Sequence, residues 1–374
     1  MKFAIFTHVI HTQQGGSYYA YAPYIREMNI WEHYCNQLII VAPLSKNPKT
    51  LIDSPYLHDD LEFIPVSNFD LLSIKSTLSF LYKVPKLLFV IYKAMKKADH
   101  IHLRCPGNIG LLACLVQILF PNKPKTAKYA GNWDPKAPQP WTYKLQKKIL
   151  NNTFLTQNMT VLVYGHWQGS SKNIKPFFTA TYHEKDKKPL VASHLEQTIN
   201  FVFVGTLVAG KNPLYAIKMV AFLKEKGFAV QLNLYGDGVL RTDLENYIAT
   251  HHLVQFIKIN GNQPQEVVAQ AYQKSHFVVL PSKSEGWPKA LAEGMFWGAV
   301  PLASAVSCVP FMLDYGNRGL LLTLNLEKDA AQITALLQDQ QRFDLYRKGS
   351  ADWSQNYTLE LFESEIKKIM TDYY

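Results

Sequence analysis

The sequence predicts an α/β protein of two doubly wound, Rossmann-like domains facing across a cleft. Three observations predict it. The chain has 374 residues, too many for one ordinary domain and suited to two. Short apolar, β-branched runs alternate with helix-length stretches in each half, which is the pattern of a parallel sheet with helical crossovers. Midway, at His183–Pro189, apolar residues give way to a run of charges, the mark of a linker or exposed loop.

In the first half, strands are expected at Lys2–Val9, Leu38–Ala42, His100–Leu103, Lys125–Tyr129 and Met159–Val163. Helices are expected at Tyr18–Tyr34 and Gly110–Leu119. In the second half, strands are expected at Phe201–Val204, Val230–Tyr235, Gln255–Ile259 and Phe277–Leu280. Helices at Tyr215–Lys226, Leu240–His251 and Gln265–Lys274 separate them, and an amphipathic helix, Leu359–Met370, closes the chain. The expected division is an acceptor-binding domain over 1–185, a nucleotide-sugar-binding domain over 186–352, and a segment 353–374 whose helix packs back on the first domain. No repeat of 20–50 residues is present.

Composition narrows the classes. Hydrophobic residues make up 48% and charged residues 18%, enough for a large core. The 19 Gly and 20 Pro are scattered without period, which excludes a collagen-like chain. No apolar run reaches the roughly 18 residues of a membrane span, and the N-terminus reads as a first strand rather than a signal peptide. The four cysteines (Cys35, Cys105, Cys114, Cys308) have no C-x-x-C spacing and read as reduced thiols of a cytoplasmic chain. The N-x-T sequons at Asn151, Asn158 and Asn356 are then read as chance. A net charge of +10 suits phosphorylated small molecules, nucleic acid or an anionic membrane face.

The chemistry concentrates at Val278–Met295. A buried strand ends at Pro281, a polar loop carries Ser284-Glu285-Gly286-Trp287, and Pro288 stands where a helix begins. Such a helix start offers backbone N–H groups and a dipole to a phosphate. Glu293 follows Glu285 by eight positions, at most roughly 12 Å along a helix. A nucleotide diphosphate sugar fits that layout, with phosphates at the helix start, Glu285 at the sugar and Glu293 at the ribose. A capping loop with a solvated helix glutamate would have the same spacing.

Two further segments fall at strand ends in the same half. Val204-Gly205-Thr206 leads through a short loop to Lys211, a point charge for a diphosphate. Tyr235-Gly236-Asp237-Gly238 is a glycine-flanked turn. Each alone reads as an ordinary turn; their convergence points to a ligand.

Together these residues resemble the donor-binding domain of family 4 retaining glycosyltransferases of the GT-B fold, over about Phe201–Leu322. The resemblance rests on the Glu-x7-Glu spacing of Glu285 and Glu293, the flanking strand, and Gly298-Ala299-Val300-Pro301. It implies that Glu285 contacts donor sugar hydroxyls, Glu293 the ribose and Lys211 the diphosphate, with Gly205, Thr206, Gly236, Gly238, Ser284, Gly286, Trp287 and Pro288 around the donor. It also implies retention of configuration, no required metal or other cofactor, and a saccharide or lipid-linked acceptor in polysaccharide or glycolipid synthesis. Thr206 stands where family members usually carry Arg.

The first half matches this family more weakly. Gly15 and Gly16 follow the first strand, where the family often has a Gly-Gly loop facing the donor phosphates; a plain turn is the alternative. His11, Asn132 and Asp134 are acceptor-site candidates, although Asn132 and Asp134 also suit an Asx-turn. No G-x-G-x-x-G is present, against a dinucleotide oxidoreductase.

The run Ser73–Lys97 is aromatic, aliphatic and basic without an acid, with Pro85 expected to kink or divide it, and Trp141–Leu150 has similar character. Both suit contact with an anionic membrane from the cytoplasmic side. Two other functions fit the sequence: a nucleotide-sugar epimerase of the same architecture, and a catalytically weak basic membrane- or nucleic-acid-binding protein. The basic runs match no nucleic-acid-binding motif.

Overall fold

The computed structural model describes residues 1–67 and 77–373. They form two compact units, Met1–Phe178 with Phe362–Tyr374, and Thr179–Leu361.

The first unit contains β1 (Lys2–Phe6), β2 (His11–Gln14), β3 (Ser17–Tyr21), α1 (Ala22–Trp31), β4 (Gln37–Ser45), β5 (Asp53–Pro55), β6 (Leu61–Val66), α2 (Thr77–Lys97), β7 (His100–Cys105), α3 (Asn108–Val116), β8 (Lys125–Tyr129), α4 (Trp141–Leu150), β9 (Met159–Tyr164) and β10 (Ile174–Phe177). Its parallel strands run in the order β10-β9-β8-β7-β1-β4-β6, with β2, β3 and β5 continuing from the end of β4. β1, β4 and β9 are mostly apolar, as strands covered on both faces usually are, whereas β7 and β8 carry the buried polar residues His100, His102, Arg104, Lys125 and Lys128. Helices α2, α3 and α4 pack side by side on one face, sharing a core of Ile91, Met95, Leu111, Leu112, Ile149 and Val161.

The helix expected at Tyr18–Tyr34 is shorter. Tyr18–Tyr21 belong to a β-hairpin in which Gln14 pairs with Ser17 across Gly15 and Gly16. Both glycines have positive φ, +60° and +82°, as the two central residues of a tight hairpin turn require. Helix α2 runs through Pro85, which lies on its solvent side, so the expected break does not occur. The start of the basic run, residues 73–76, lies outside the described residues.

The second unit contains β11 (Ile199–Val204), α5 (Pro213–Glu225), β12 (Val230–Tyr235), α6 (Arg241–Thr250), β13 (Ile257–Ile259), α7 (Gln265–Gln273), β14 (Phe277–Leu280), α8 (Lys289–Phe296), β15 (Val300–Ser304), α9 (Val309–Met312), β16 (Leu320–Leu322), α10 (Leu326–Leu337) and α11 (Gln340–Ser354). Its six strands are all parallel, in the order β13-β12-β11-β14-β15-β16. The order reverses between β11 and β14, which opens a crevice at their carboxyl ends.

The last helix, α12 (Leu359–Thr371), counts with the first unit from Phe362 onward. There Phe362 packs on Phe177 and Phe178, and Glu365 pairs with Lys175 at 3.0 Å. Among the described residues no helix is long and apolar enough to cross a membrane.

Candidate functional site

The reversal point of the second sheet gathers most of the residues singled out in the sequence. The loop after β11 carries Gly205, Thr206 and Lys211; the loop after β14 carries Ser284, Glu285 and Gly286; the turn after β12 carries Gly236 and Gly238.

Backbone contacts bind the three loops together. Gly205 N–H donates to the Tyr235 carbonyl at 2.9 Å, Leu207 N–H to the Asp237 carbonyl at 3.0 Å, and Lys283 N–H to the Gly210 carbonyl at 2.8 Å. Gly236 is glycine for this reason: a Cβ there would stand 2.0 Å from the Gly205 carbonyl oxygen. Gly236 and Gly238 therefore shape the floor of the crevice by letting two backbones meet. Asp237 between them faces solvent and pairs with Arg241 at 2.8 Å.

Lys211 and Glu285, 74 residues apart in sequence, meet directly. The ammonium donates to both carboxylate oxygens, at 2.7 and 2.8 Å. The Glu285 side chain is only 5% exposed, whereas that of Lys211 is 31% exposed. A carboxylate so buried requires a charged partner, and Lys211 supplies it while keeping one side toward solvent. Thr206, on the same loop, is exposed.

Residues absent from the sequence reading hold the Glu285 loop. The Gly286 carbonyl accepts from Ser307 Oγ at 3.3 Å and Cys308 Sγ at 3.2 Å, and Ser304 Oγ donates to the Ser282 carbonyl. Burial pushes the Cys308 thiol up to about 12, so it stays a neutral donor. No local sequence signal marks these residues; they act because β15 lies beside β14.

Helix α8 begins directly after Pro288, and no side chain caps its N-terminus. The helix lies close on β14: a Cβ on Gly294 would meet the Val278 side chain at 2.7 Å. Glu293, half-buried on this helix, accepts from Thr181 Oγ1 at 2.8 Å and from Tyr272 Oη at 3.4 Å. The adjoining cavity, lined in part by Thr179, Tyr182 and Tyr357, has a volume of about 20 Å³, room for a water but not for a sugar. Trp287 packs in an aromatic cluster, stacked on Trp353 with centroids 6.0 Å apart and edge-on to Tyr357, and lines the same small cavity as Glu293. Its large apolar ring is buried more favourably there than in a polar crevice.

The candidates in the first unit fare differently. Gly15 and Gly16 form the exposed tip of the β2–β3 hairpin rather than a strand-to-helix loop. His11 is fully buried, its nitrogens bonded to the Val9 carbonyl at 2.8 Å and Tyr56 Oη at 3.0 Å. Burial holds its imidazole down to about 4, so it is a neutral core residue and reaches no acceptor. Asn132 and Asp134 form two successive Asx turns: Asn132 Oδ1 accepts from Asp134 N–H at 2.9 Å, and Asp134 Oδ1 from Lys136 N–H at 2.8 Å.

His8 and His11 flank the glycine loop in sequence, where one of the two could face a cleft or be merely structural, and His8 is placed differently from His11. It follows β1, and a Cβ on Gly107 would stand 2.5 Å from its Nδ1, so the turn after β7 is folded around its ring. Although the residue as a whole is exposed, desolvation of the ring and the nearby Arg104 charge keep its pKa below the ordinary value.

The chain is similar to known proteins in sequence and in fold. Residues 185–356 match the family described as Glycosyl transferases group 1. The chain is 29% identical over 149 residues to the amylovoran biosynthesis glycosyltransferase AmsK of Erwinia amylovora, covering 38% of this chain and 36% of AmsK. The chain spans between about a third and about a half of the length of the first curated relatives it matches. Among solved structures, Anabaena Alr3699/HepE in complex with UDP and glucose covers all of both chains with a TM-score of 0.70 at 14% identity. Sucrose-phosphate synthase from Thermosynechococcus elongatus covers 99% of this chain and 98% of its own, with a TM-score of 0.67 at 16% identity. The likeness extends over the whole chain and shows the GT-B fold expected from the sequence.

Proposed function

We propose that this chain, whose residues 185–356 match the group 1 glycosyltransferases, moves a sugar from a nucleotide diphosphate sugar to a hydroxyl of a saccharide or lipid-linked acceptor. The observation that carries the reading is the Lys211–Glu285 pair at the point where the strand order reverses. It places a cation and a carboxylate side by side, as a substrate with an anionic diphosphate beside a hydroxylated sugar demands.

In this reading the donor diphosphate lies against Lys211 and the uncapped start of α8, where positive charge meets the growing negative charge of the leaving group. Lys211 then divides its attention between phosphate and Glu285. Glu285, held by the Gly286 anchors, accepts hydrogen bonds from sugar hydroxyls. Glu293 takes the ribose, which requires the small cavity beside Thr181 to widen. The acceptor oxygen attacks the anomeric carbon on the face that the diphosphate leaves; the bond from that carbon to the diphosphate oxygen breaks, and the acceptor proton passes to the departing phosphate. The product keeps the donor's configuration, and no metal takes part.

UDP is the nucleotide to try first, because HepE, which shares the fold, was solved with UDP and glucose. The test is a panel of UDP-, GDP- and ADP-sugars scored for nucleoside diphosphate release with and without glycan or lipid-linked acceptors. Acceptor-dependent release, a product of unchanged anomeric configuration by NMR, and activity that survives a chelator are expected. Conversion of the donor to an epimer without acceptor would replace transfer with epimerisation. Inverted product would overturn retention, and loss of activity with chelator would overturn metal independence.

A further inference from the structure

The charge of this chain is unevenly placed. Residues 71–183 contain 16 Lys and Arg, two Asp and no Glu, a net +14; the remaining residues contain 23 Lys and Arg against 27 Asp and Glu, a net −4. Eight of the sixteen cations lie on α2 and α4, none on α3, and the stretch's two acids lie off these helices. Asp99 precedes β7 and accepts from the Lys2 N–H, and Asp134 lies in the loop after β8.

The outer face of that layer carries large apolar side chains that the fold leaves in solvent. On α2 they are Phe89, 57% exposed, and Tyr92; just beyond α3 comes Leu119 at 66%, and beyond α4 comes Phe154 at 78%. Phe89 and Tyr92 lie three positions apart on α2, on one side of the helix. Tyr92 meets Phe120 across the helix boundary at 5.3 Å, and Gln117 Nε2 donates to the Leu155 carbonyl at 2.9 Å, joining the ends of α3 and α4. Lys86, Lys93 and Lys96 stand exposed along α2 among these rings, Lys93 lying 4.4 Å from the Phe89 centroid. Lys97 differs: it pairs with Glu62. Lys123 also points inward, its ammonium accepted by the Met95 and Lys96 carbonyls at 2.9 and 2.8 Å, so it caps α2.

We propose that this face, centred on Phe89, Tyr92 and Leu119 with Lys86, Lys93 and Lys96 around them, docks on the surface of an anionic lipid bilayer. The combination selects the partner. Lysines alone would suit any polyanion, but exposed rings and leucine gain only where an apolar phase lies directly beneath the negative charges, as at a headgroup boundary. Lysine stems can lie along that boundary while the ammonium stays at the phosphates. A monomeric soluble surface gains nothing from a patch of this kind.

The proposal does not depend on the transferase reading, because none of these residues belongs to the donor site. The test is co-sedimentation of the full chain with phosphatidylcholine vesicles and with vesicles of phosphatidylcholine and phosphatidylglycerol, at low and high salt. Binding to the phosphatidylglycerol vesicles alone, weakening with salt, is expected. The triple variant K86E/K93E/K96E should lower the binding constant by about 10²-fold or more at low salt, as about one kcal/mol for each of three lysines converts at about 1.4 kcal/mol per tenfold. The variant F89S/L119S should weaken vesicle binding while leaving retention on an anionic polysaccharide column unchanged. Both variants should keep wild-type nucleoside diphosphate affinity and melting temperature, which separates a failed membrane face from a failed donor site. Wild-type protein left in the supernatant with phosphatidylglycerol vesicles, equal binding to neutral vesicles, or triple-variant binding equal to wild type would each overturn the proposal. So would an unchanged F89S/L119S, which would make the face a track for an anionic polymer.

Discussion

Both units carry one strand order, and in both it reverses beside the first strand, yet the two reversal points are built from opposite chemistry. In the second unit, between β11 and β14, short glycine loops bring Lys211 and Glu285 together with the lysine still reaching solvent. In the first, between β1 and β7, the polar groups are turned inward. Arg104 and Glu27 form a buried pair at 2.7 Å, His11, Tyr56 and Tyr24 make a chain of hydrogen bonds, and Lys128 donates to the Phe178 carbonyl at 2.9 Å. His8 and the β2–β3 hairpin take the place of a glycine loop. One topology thus carries a Lys–Glu pair that reaches solvent in one unit and internally satisfied polar groups in the other.

Breaking the Lys211–Glu285 pair should have the largest effect. Lys211→Met removes the cation facing the leaving group, and transfer should fall by about 10²–10³-fold. It also strands the buried Glu285 carboxylate, at a cost of about 2 kcal/mol, less than a fully buried pair because Lys211 reaches solvent. Adding Glu285→Gln should restore the melting temperature but not turnover. Glu285→Gln alone should slow transfer by about 10²-fold while bare nucleoside diphosphate binds no more weakly than before, since Lys211 is released toward the phosphates. Calorimetry and turnover on the three variants check this; a fully active Lys211→Met would remove the pair from the chemistry.

That pair also marks how far the sequence could be read. Four of the six parallel strands of the second unit were legible because they are apolar, short and evenly spaced, while β15 and β16 were not assigned; Gly236-Asp237-Gly238 and Glu285 each stood out at a strand end. The contact between Lys211 and Glu285 was not legible, since no local pattern encodes a 74-residue separation. Nor were the Ser307 and Cys308 anchors, which become neighbours of Gly286 only through the β14–β15 pairing. The packing of Trp287 was not legible either, since its motif position says nothing of the Trp353 ring on α11. The hairpin was recoverable: Gly15-Gly16 between residues of high strand propensity is a two-residue turn signal, but the aromatic run after it was taken for helix. His11 was misread because a lone histidine carries no sign of the aromatic cage that buries it.

The inward-turned chemistry of the first unit should make it the acid-sensitive one. His11 is held down to about 4 and His100 to about 3, both by burial, so each stays neutral in the folded chain. The unfolded chain takes up protons from about 6.5 downward. Their contribution to stability is therefore whole above that pH and lost as pH falls toward the folded values, by up to about 1.4 kcal/mol per pH unit for each histidine. Hydrogen exchange between pH 7 and 4 should show peptides of β1, β7 and β8 losing protection before those of β11 and β14. Simultaneous loss would deny the contrast.

The ribose role of Glu293 is a smaller effect. Glu293→Ala should weaken binding of bare nucleoside diphosphate by about 1.5–3 kcal/mol, the scale of a charge-assisted hydrogen bond. Thr181→Val removes the 2.8 Å bond that orients the carboxylate and leaves the longer contact with Tyr272; about 0.5–1.5 kcal/mol of the same affinity should go. Unchanged calorimetry in folded Glu293→Ala would rule out the ribose contact.

The smallest effect separates the two glycine turns most directly. Gly16 stands at φ +82° with open space around its Cβ position, so Gly16→Ala meets no clash, only the cost of a left-handed alanine, about 1 kcal/mol. Gly236 also has positive φ, +135°, but a Cβ there would strike the Gly205 carbonyl and push apart the loops that hold Lys211. Gly16→Ala should lower the melting temperature slightly and leave nucleoside diphosphate affinity at the wild-type value. Gly236→Ala should weaken that affinity well beyond its effect on stability. If Gly16→Ala instead weakened binding of the diphosphate, the hairpin tip would have to touch the donor phosphates. The glycines of the first unit would then serve the ligand as those of the second do.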